Sequence, residues 1–168
     1  LLRELTDEFG ASQARRVMLE DFEVSPSKFE LAKNISNVQE PFIKSVAKQD
    51  LDIYIGIPYC RTRCLYCSFA SEVRTKKANI EGYLNALRRD IIAGAKLARK
   101  EGYRVRSVYI GGGTPTSLTG VELESLITCL LEAYGGYGRE FTIEAGRPDT
   151  IDADKLKLFK KFGVERIS

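Results

Sequence analysis

From residue 50 onward the chain alternates short β-branched runs with segments of helical period, and this alternation limits the fold more than any other feature. "LDIYIGIP" (51–58) is β-branched and aromatic, is bounded by Asp50 and Pro58, and suits a buried strand. Ile80, Leu84, Leu87 and Ile91 then share one helical stripe, and the helix ends near Gly102. "VRSVYI" (105–110) reads as a second strand, and Thr119-Gly-Val-Glu122 is a capping box that opens a helix to Tyr134. "EFTIEA" (140–145) is a third strand, Asp152 caps a short helix that stops at Gly163, and "VERIS" (164–168) is a fourth strand. The order β-α-β-α-β-α-β implies a parallel sheet with right-handed crossovers. Two closures satisfy it: a (β/α) barrel or an open doubly wound sheet.

The preceding residues, 1–49, read as a helical lead-in to an α/β unit at 50–168. Phe9, Ala14, Val17, Met18 and Phe22 recur at helical steps. Ser25-Pro26 makes a helix start, with Ser as the cap and Pro at the first position. Phe29, Ala32, Ile35 and Val38 mark one apolar face of the helix that follows. The charge balance, 26 Lys and Arg against 23 Asp and Glu, offers no case for nucleic acid or a membrane surface. No apolar run approaches the roughly 20 residues of a membrane span. No secretory signal is visible, and a reducing cytoplasmic setting is expected. Histidine is absent, which excludes His-ligated zinc, His general bases and Ser-His-Asp triads within this chain.

The unusual residues all fall at C-terminal strand ends, where parallel α/β folds place their sites. "YCRTRCLYC" follows the first strand and sets Cys60, Cys64 and Cys67 at C-x3-C-x2-C. "GGGTPT" (111–116) follows the second, and Glu144 closes the third. This placement favours the barrel layout. Four strands cannot close a barrel, so the chain is expected to be the first part of one. It opens on Leu1 rather than Met and ends on a strand without a turn.

Three local thiols leave a question of ligand arithmetic, since iron–sulfur cubanes normally take four. Cys129 is the one other candidate, and it lies mid-helix between leucines, where a small core hydrophobe is expected. Without it one iron has no protein ligand, and an open metal position marks catalysis rather than structure. The competing reading is a structural zinc site completed by Cys129 or a partner chain. Arg61 and Arg63 are placed to offset thiolate and sulfide charge, or are ordinary solvated charges. The glycine run is neither a Walker loop nor G-x-G-x-x-G. Its lack of Cβ atoms lets backbone approach a ligand, and its N–H and C=O groups could pair with an ammonium or a carboxylate. Glu144, among apolar neighbours, needs a partner, either a ligand or an ion pair such as Arg147.

C-x3-C-x-aromatic-C at the end of a first strand resembles the radical S-adenosylmethionine (SAM) superfamily. Together with "YIGGGTPT" (109–116) it resembles oxygen-independent coproporphyrinogen III oxidases and their relatives. "EAGRPDT" (144–150) is similar to the coproporphyrinogen dehydrogenase-like subgroup, and "GVERIS" to the family's fourth strand. The resemblance implies that Cys60, Cys64 and Cys67 hold a 4Fe–4S cluster whose open iron is chelated by SAM. Reductive cleavage of SAM would then yield a 5′-deoxyadenosyl radical that abstracts a hydrogen atom from substrate. It further implies that Tyr54, Gly112, Gly113, Thr114 and Glu144 contact SAM, and that Tyr66 shields the cluster and packs on adenine. The implied activity is oxidative decarboxylation of coproporphyrinogen III to protoporphyrinogen IX, with a porphyrinogen substrate and a reducing electron donor as partners. Haem carriers of the same superfamily share the cysteine loop and the glycines and supply the alternative. One departure stands out. Characterised oxidases have His two residues after the strand Tyr, and this chain has Gly56.

Overall fold

The computed structural model describes all 168 residues, which divide into two compact units, Leu1–Lys48 and Gln49–Ser168. The first unit is helical: α1 (Leu2–Phe9), α2 (Ala11–Arg16), a π-helical turn (Val17–Asp21) and α3 (Pro26–Lys44). Ser25 caps α3 by accepting from the Lys28 N–H at 3.4 Å, with Pro26 at the first helical position, where its missing N–H costs nothing. The apolar face expected along α3 is only partly used. Phe29 is buried beneath the Arg15 guanidinium, but Ile35 and Val38 are exposed, as are Phe9 and Phe22. Ala14 and Met18 supply the rest of this unit's buried apolar surface.

The second unit contains β1 (Asp50–Ile57), β2 (Tyr59–Cys60), β3 (Glu72–Val73), α4 (Ile80–Lys100), β4 (Arg104–Gly112), α5 (Gly120–Tyr134), β5 (Glu140–Ile143), α6 (Ala153–Lys161) and β6 (Arg166–Ile167). Four strands form one parallel sheet in the order β1-β4-β5-β6. Each new strand is added on the same side, without the reversal that defines a doubly wound sheet. This is the barrel-type progression.

The local signals explain the boundaries. Thr119 and Glu122 form the reciprocal capping box that starts α5, and Gly135 ends that helix in the left-handed conformation. Asp152 caps α6 through the Lys155 N–H at 2.8 Å. The second strand runs two residues beyond its expected end, through Gly111 and Gly112, because both pair with β1 (Gly56↔Gly111, Ile57↔Gly112). The third strand is shorter than expected, yet its ladder continues: the Glu144 N–H donates to Ile110 and the Ala145 N–H to Ser168.

Burial alternates with period two along β1, whereas β5 is buried on both faces. Ile53, Ile55 and Ile57 of β1, Val108 and Ile110 of β4, and Phe141 and Ile143 of β5 point to one face. There they meet Leu84 and Ile91 of α4, Leu123, Leu126, Ile127 and Leu130 of α5, and Phe159 of α6 in a single core. The opposite face carries Tyr54, Tyr109 and Thr142 in register across three strands. No helix of the chain is long and apolar enough to cross a membrane.

Candidate functional site

Pro58 ends β1, and the chain then makes a two-residue strand that sequence periodicity did not reveal. β2 pairs in parallel with β3, the Glu72 N–H donating to Pro58 and the Arg74 N–H to Cys60. The pair clamps both ends of the cysteine loop. Within the loop the Cys67 N–H donates to the Cys64 carbonyl at 3.1 Å, a tight turn that holds these two cysteines on one side. All four cysteines are free, and Cys60 is buried. Cys129 lies on α5, packed against the core, and takes no part in the cavity.

Cys60, Cys64 and Cys67 line one cavity of about 270 Å³ together with Tyr66, Gly113, Thr114 and Glu144. Seven of the nine residues picked out by sequence therefore converge on one space. Gly112 and Tyr54 stand beside it rather than on its wall. No three His, Cys, Asp or Glu side chains converge on the position of a single ion. Single-ion convergence is what zinc would require. A cubane accepts its thiolates on separate iron atoms and needs room between them, which the cavity provides.

The glycines act differently from the sequence expectation of free backbone donors. The Gly113 N–H donates to Ile57, the Thr114 N–H to Tyr59, and the Gly112 N–H to Glu144 Oε2 at 3.1 Å. Close packing is what demands glycine here. A Cβ at Gly113 would sit 2.8 Å from Cys60 Sγ, and one at Gly112, whose φ is +109°, would sit 2.9 Å from the Ile57 backbone. Thr114 Oγ1 lies 3.4 Å from Cys60 Sγ, within reach of a weak hydrogen bond to sulfur.

Glu144 finds neutral partners instead of the ion pair with Arg147. Tyr109 Oη donates to its Oε1 at 2.7 Å, and that bond is the main reason the Tyr109 hydroxyl is pushed above its ordinary range. A carboxylate offers about four lone-pair positions, so acceptor capacity remains for a ligand. Tyr54 stacks on Tyr109, ring centroids 5.8 Å apart, and is 61% exposed. Desolvation first, and the Glu144 charge second, raise its pKa. Tyr66 is 91% exposed at the mouth of the cavity, so it shields nothing in the protein alone. Gly56 has room for a side chain: an added Cβ would touch only Tyr54, at an ordinary 3.5 Å. Its carbonyl accepts from the Tyr83 hydroxyl.

Arg147 is the residue sequence reasoning undervalued. Its Nη1 donates to the Thr62 carbonyl at 3.3 Å and lies 3.7 Å from Cys64 Sγ, while Nε pairs with Asp149 at 3.1 Å. Asp149, and then the nearby Cys64 and Cys60, hold its pKa above the usual range. Of the two arginines placed by sequence either to offset thiolate charge or to be solvated, Arg61 turns to the Asp149 carbonyl and Arg63 lines the cavity.

A profile of the radical SAM superfamily matches residues 54–168, the cysteine loop, glycine run and Glu144 among them. The chain belongs to the radical SAM superfamily. Its cofactors are a 4Fe–4S cluster and SAM, and the donor set described above fits them. HemZ of Bacillus subtilis, an oxygen-independent coproporphyrinogen-III oxidase-like protein, is 31% identical over the whole chain, which spans 34% of HemZ. The heme chaperone HemW of the same organism is 36% identical over 68% of the chain and 30% of HemW. The solved structure of Escherichia coli coproporphyrinogen III oxidase, a radical SAM enzyme, superposes with a TM-score of 0.62 at 29% identity, covering 76% of this chain and 30% of that one. The chain thus spans about a third of the length of these relatives.

Proposed function

We propose that this chain is the cofactor-binding part of an oxygen-independent coproporphyrinogen dehydrogenase, an oxidoreductase of porphyrin synthesis. The observation that carries the reading is the convergence of three free thiols, the Gly113–Thr114 wall and Glu144 on one cavity. Cys60, Cys64 and Cys67 hold the cluster, β2 and β3 keeping the loop in place. Glu144, steadied by Tyr109 and Gly112, accepts from SAM, and Tyr54, stacked on Tyr109, extends that contact surface. Gly113 gives the wall a surface without a projecting Cβ, Thr114 adds its hydroxyl beside Cys60, and Gly112 behind them holds Glu144, none of the three offering a free N–H. Tyr66 folds over the mouth once a ligand gives it something to pack against. When bound, the cluster and SAM would supply hydrogen-atom abstraction, driven by one-electron reduction of SAM. From each of two propionates one hydrogen atom would pass to the cofactor, one electron to an external one-electron acceptor, and CO2 would leave, so that a vinyl group remains. No residue of this chain is assigned to proton transfer.

Alignment length supports this reading over a haem carrier. Relatives named as coproporphyrinogen oxidases or oxidase-like align over 85–100% of the chain, the whole helical lead-in included for HemZ, against 68–70% for the HemW chaperones. The carrier reading keeps one point in its favour, the 36% identity to Bacillus subtilis HemW. Full-length protein, reconstituted anaerobically and given coproporphyrinogen III, SAM and dithionite, should yield protoporphyrinogen IX. Tight haem binding with no conversion would replace the enzyme by the carrier.

A further inference from the structure

We propose that Arg147, oriented by Asp149, is the built-in countercharge of the cysteine loop and makes one-electron reduction of the cluster held there easier. The inference rests on the three-cysteine ligand assignment of the preceding section, not on the porphyrinogen substrate. Two arginines cross between the same two segments in opposite directions. Arg147, after β5, reaches the Thr62 carbonyl at 3.3 Å and stands 3.7 Å from Cys64 Sγ. Arg61, in the cysteine loop, reaches back to the Asp149 carbonyl at 2.6 Å, its Nε 3.7 Å from Asp149 Oδ2. One carboxylate is therefore shared by two guanidiniums, and the clasp retains a net positive charge. That charge sits at the thiol because Arg147 is the inner of the pair, its side chain 25% exposed against 63% for Arg61.

A guanidinium stays protonated in proteins, so its charge is constant through the redox cycle. One electron enters from an external low-potential one-electron donor. No bond breaks, and Arg147 releases no proton. Iron–sulfur potentials follow net charge and hydrogen bonds to sulfur. A fixed cation beside one thiolate favours the reduced, more negative form.

The test is an EPR-monitored redox titration of the reconstituted full-length protein without SAM or substrate, with dithionite as reductant. Arg147→Gln should lower the reduced-to-oxidised ratio at a set potential about tenfold, a shift of ~59 mV for a one-electron couple. Arg147→Lys should keep most of the parental midpoint. Asp149→Asn should move it the opposite way, upward, because the partial neutralisation of Arg147 is lost. A purely mechanical clasp would not give opposite signs. An unmoved midpoint in Arg147→Gln at parental iron content overturns the proposal. Should that variant fail to hold a cluster, Asp149→Asn decides, and a midpoint unmoved or lowered overturns it. A parental protein without a 4Fe–4S cluster defeats the ligand assignment as well. A cluster with the expected shifts but no conversion of coproporphyrinogen sinks only the proposed function.

Discussion

The two faces of the central sheet are built from the same strands and do opposite work. Toward the helices, Phe141, Ile110 and Ile143 are fully buried, and each such side chain contributes about 1.5–3 kcal/mol of transfer free energy. On the other face, Tyr54 is largely exposed and Tyr109 and Glu144 are only partly covered. Successive side chains of a strand point to opposite faces, so a single strand can hold the core together and present chemistry at once. The difference teaches where tolerance lies. The helix-side face carries stability and little recognition. The polar face and the strand ends carry the proposed recognition.

That contrast can be broken at several points. Cys64→Ala should abolish the 4Fe–4S absorption while leaving the far-ultraviolet circular dichroism unchanged, since Cys64 is a half-exposed loop residue. A full cluster in this variant would remove Cys64 from the ligands. Phe141→Ala should lose about 3–5 kcal/mol in urea denaturation, the range for a buried aromatic. A loss below ~1 kcal/mol would mean the helix-side face is not the main core. Gly113→Ala lies where the two roles meet. Its Cβ would press on Cys60 Sγ and the Tyr59 carbonyl, so a cost of about 1–3 kcal/mol should accompany reduced iron loading. Wild-type loading and melting temperature would show that the close approach is not required. Glu144→Ala should weaken SAM binding about tenfold, ~1.4 kcal/mol by calorimetry, at unchanged iron content. An unaltered Kd would exclude it from the site.

The smallest effect concerns pH. Burial works to raise the Glu122 pKa, but hydrogen bonds from Arg74 and Thr119 outweigh it, and the carboxyl sits below its ordinary value of 4.5. A depressed folded pKa contributes stability above that ordinary value and loses it as pH falls through the folded one. Both partners are about one-quarter exposed, so the contribution is about 1 kcal/mol or less. Glu122→Gln should be less stable than wild type near neutrality and should decline less steeply below pH 4.5. Identical acid limbs in a pH series of denaturation curves would assign no such role to this pair.

Chain-local chemistry was sufficient for the element order, the Thr119 and Asp152 caps, and the three thiols, because these depend on neighbours within a few residues. It was also sufficient for the grouping of Cys60, Gly113 and Glu144, since a parallel sheet brings successive strand ends to one edge. Tertiary structure alone decided the partners. That the Gly112 N–H goes to Glu144, that Arg147 rather than Arg61 faces Cys64, and that β2 pairs with β3 all depend on contacts between segments distant in sequence. The exposure of Ile35 and Val38 belongs with them. Periodicity states which side chains share a face, and only packing states what, if anything, covers it.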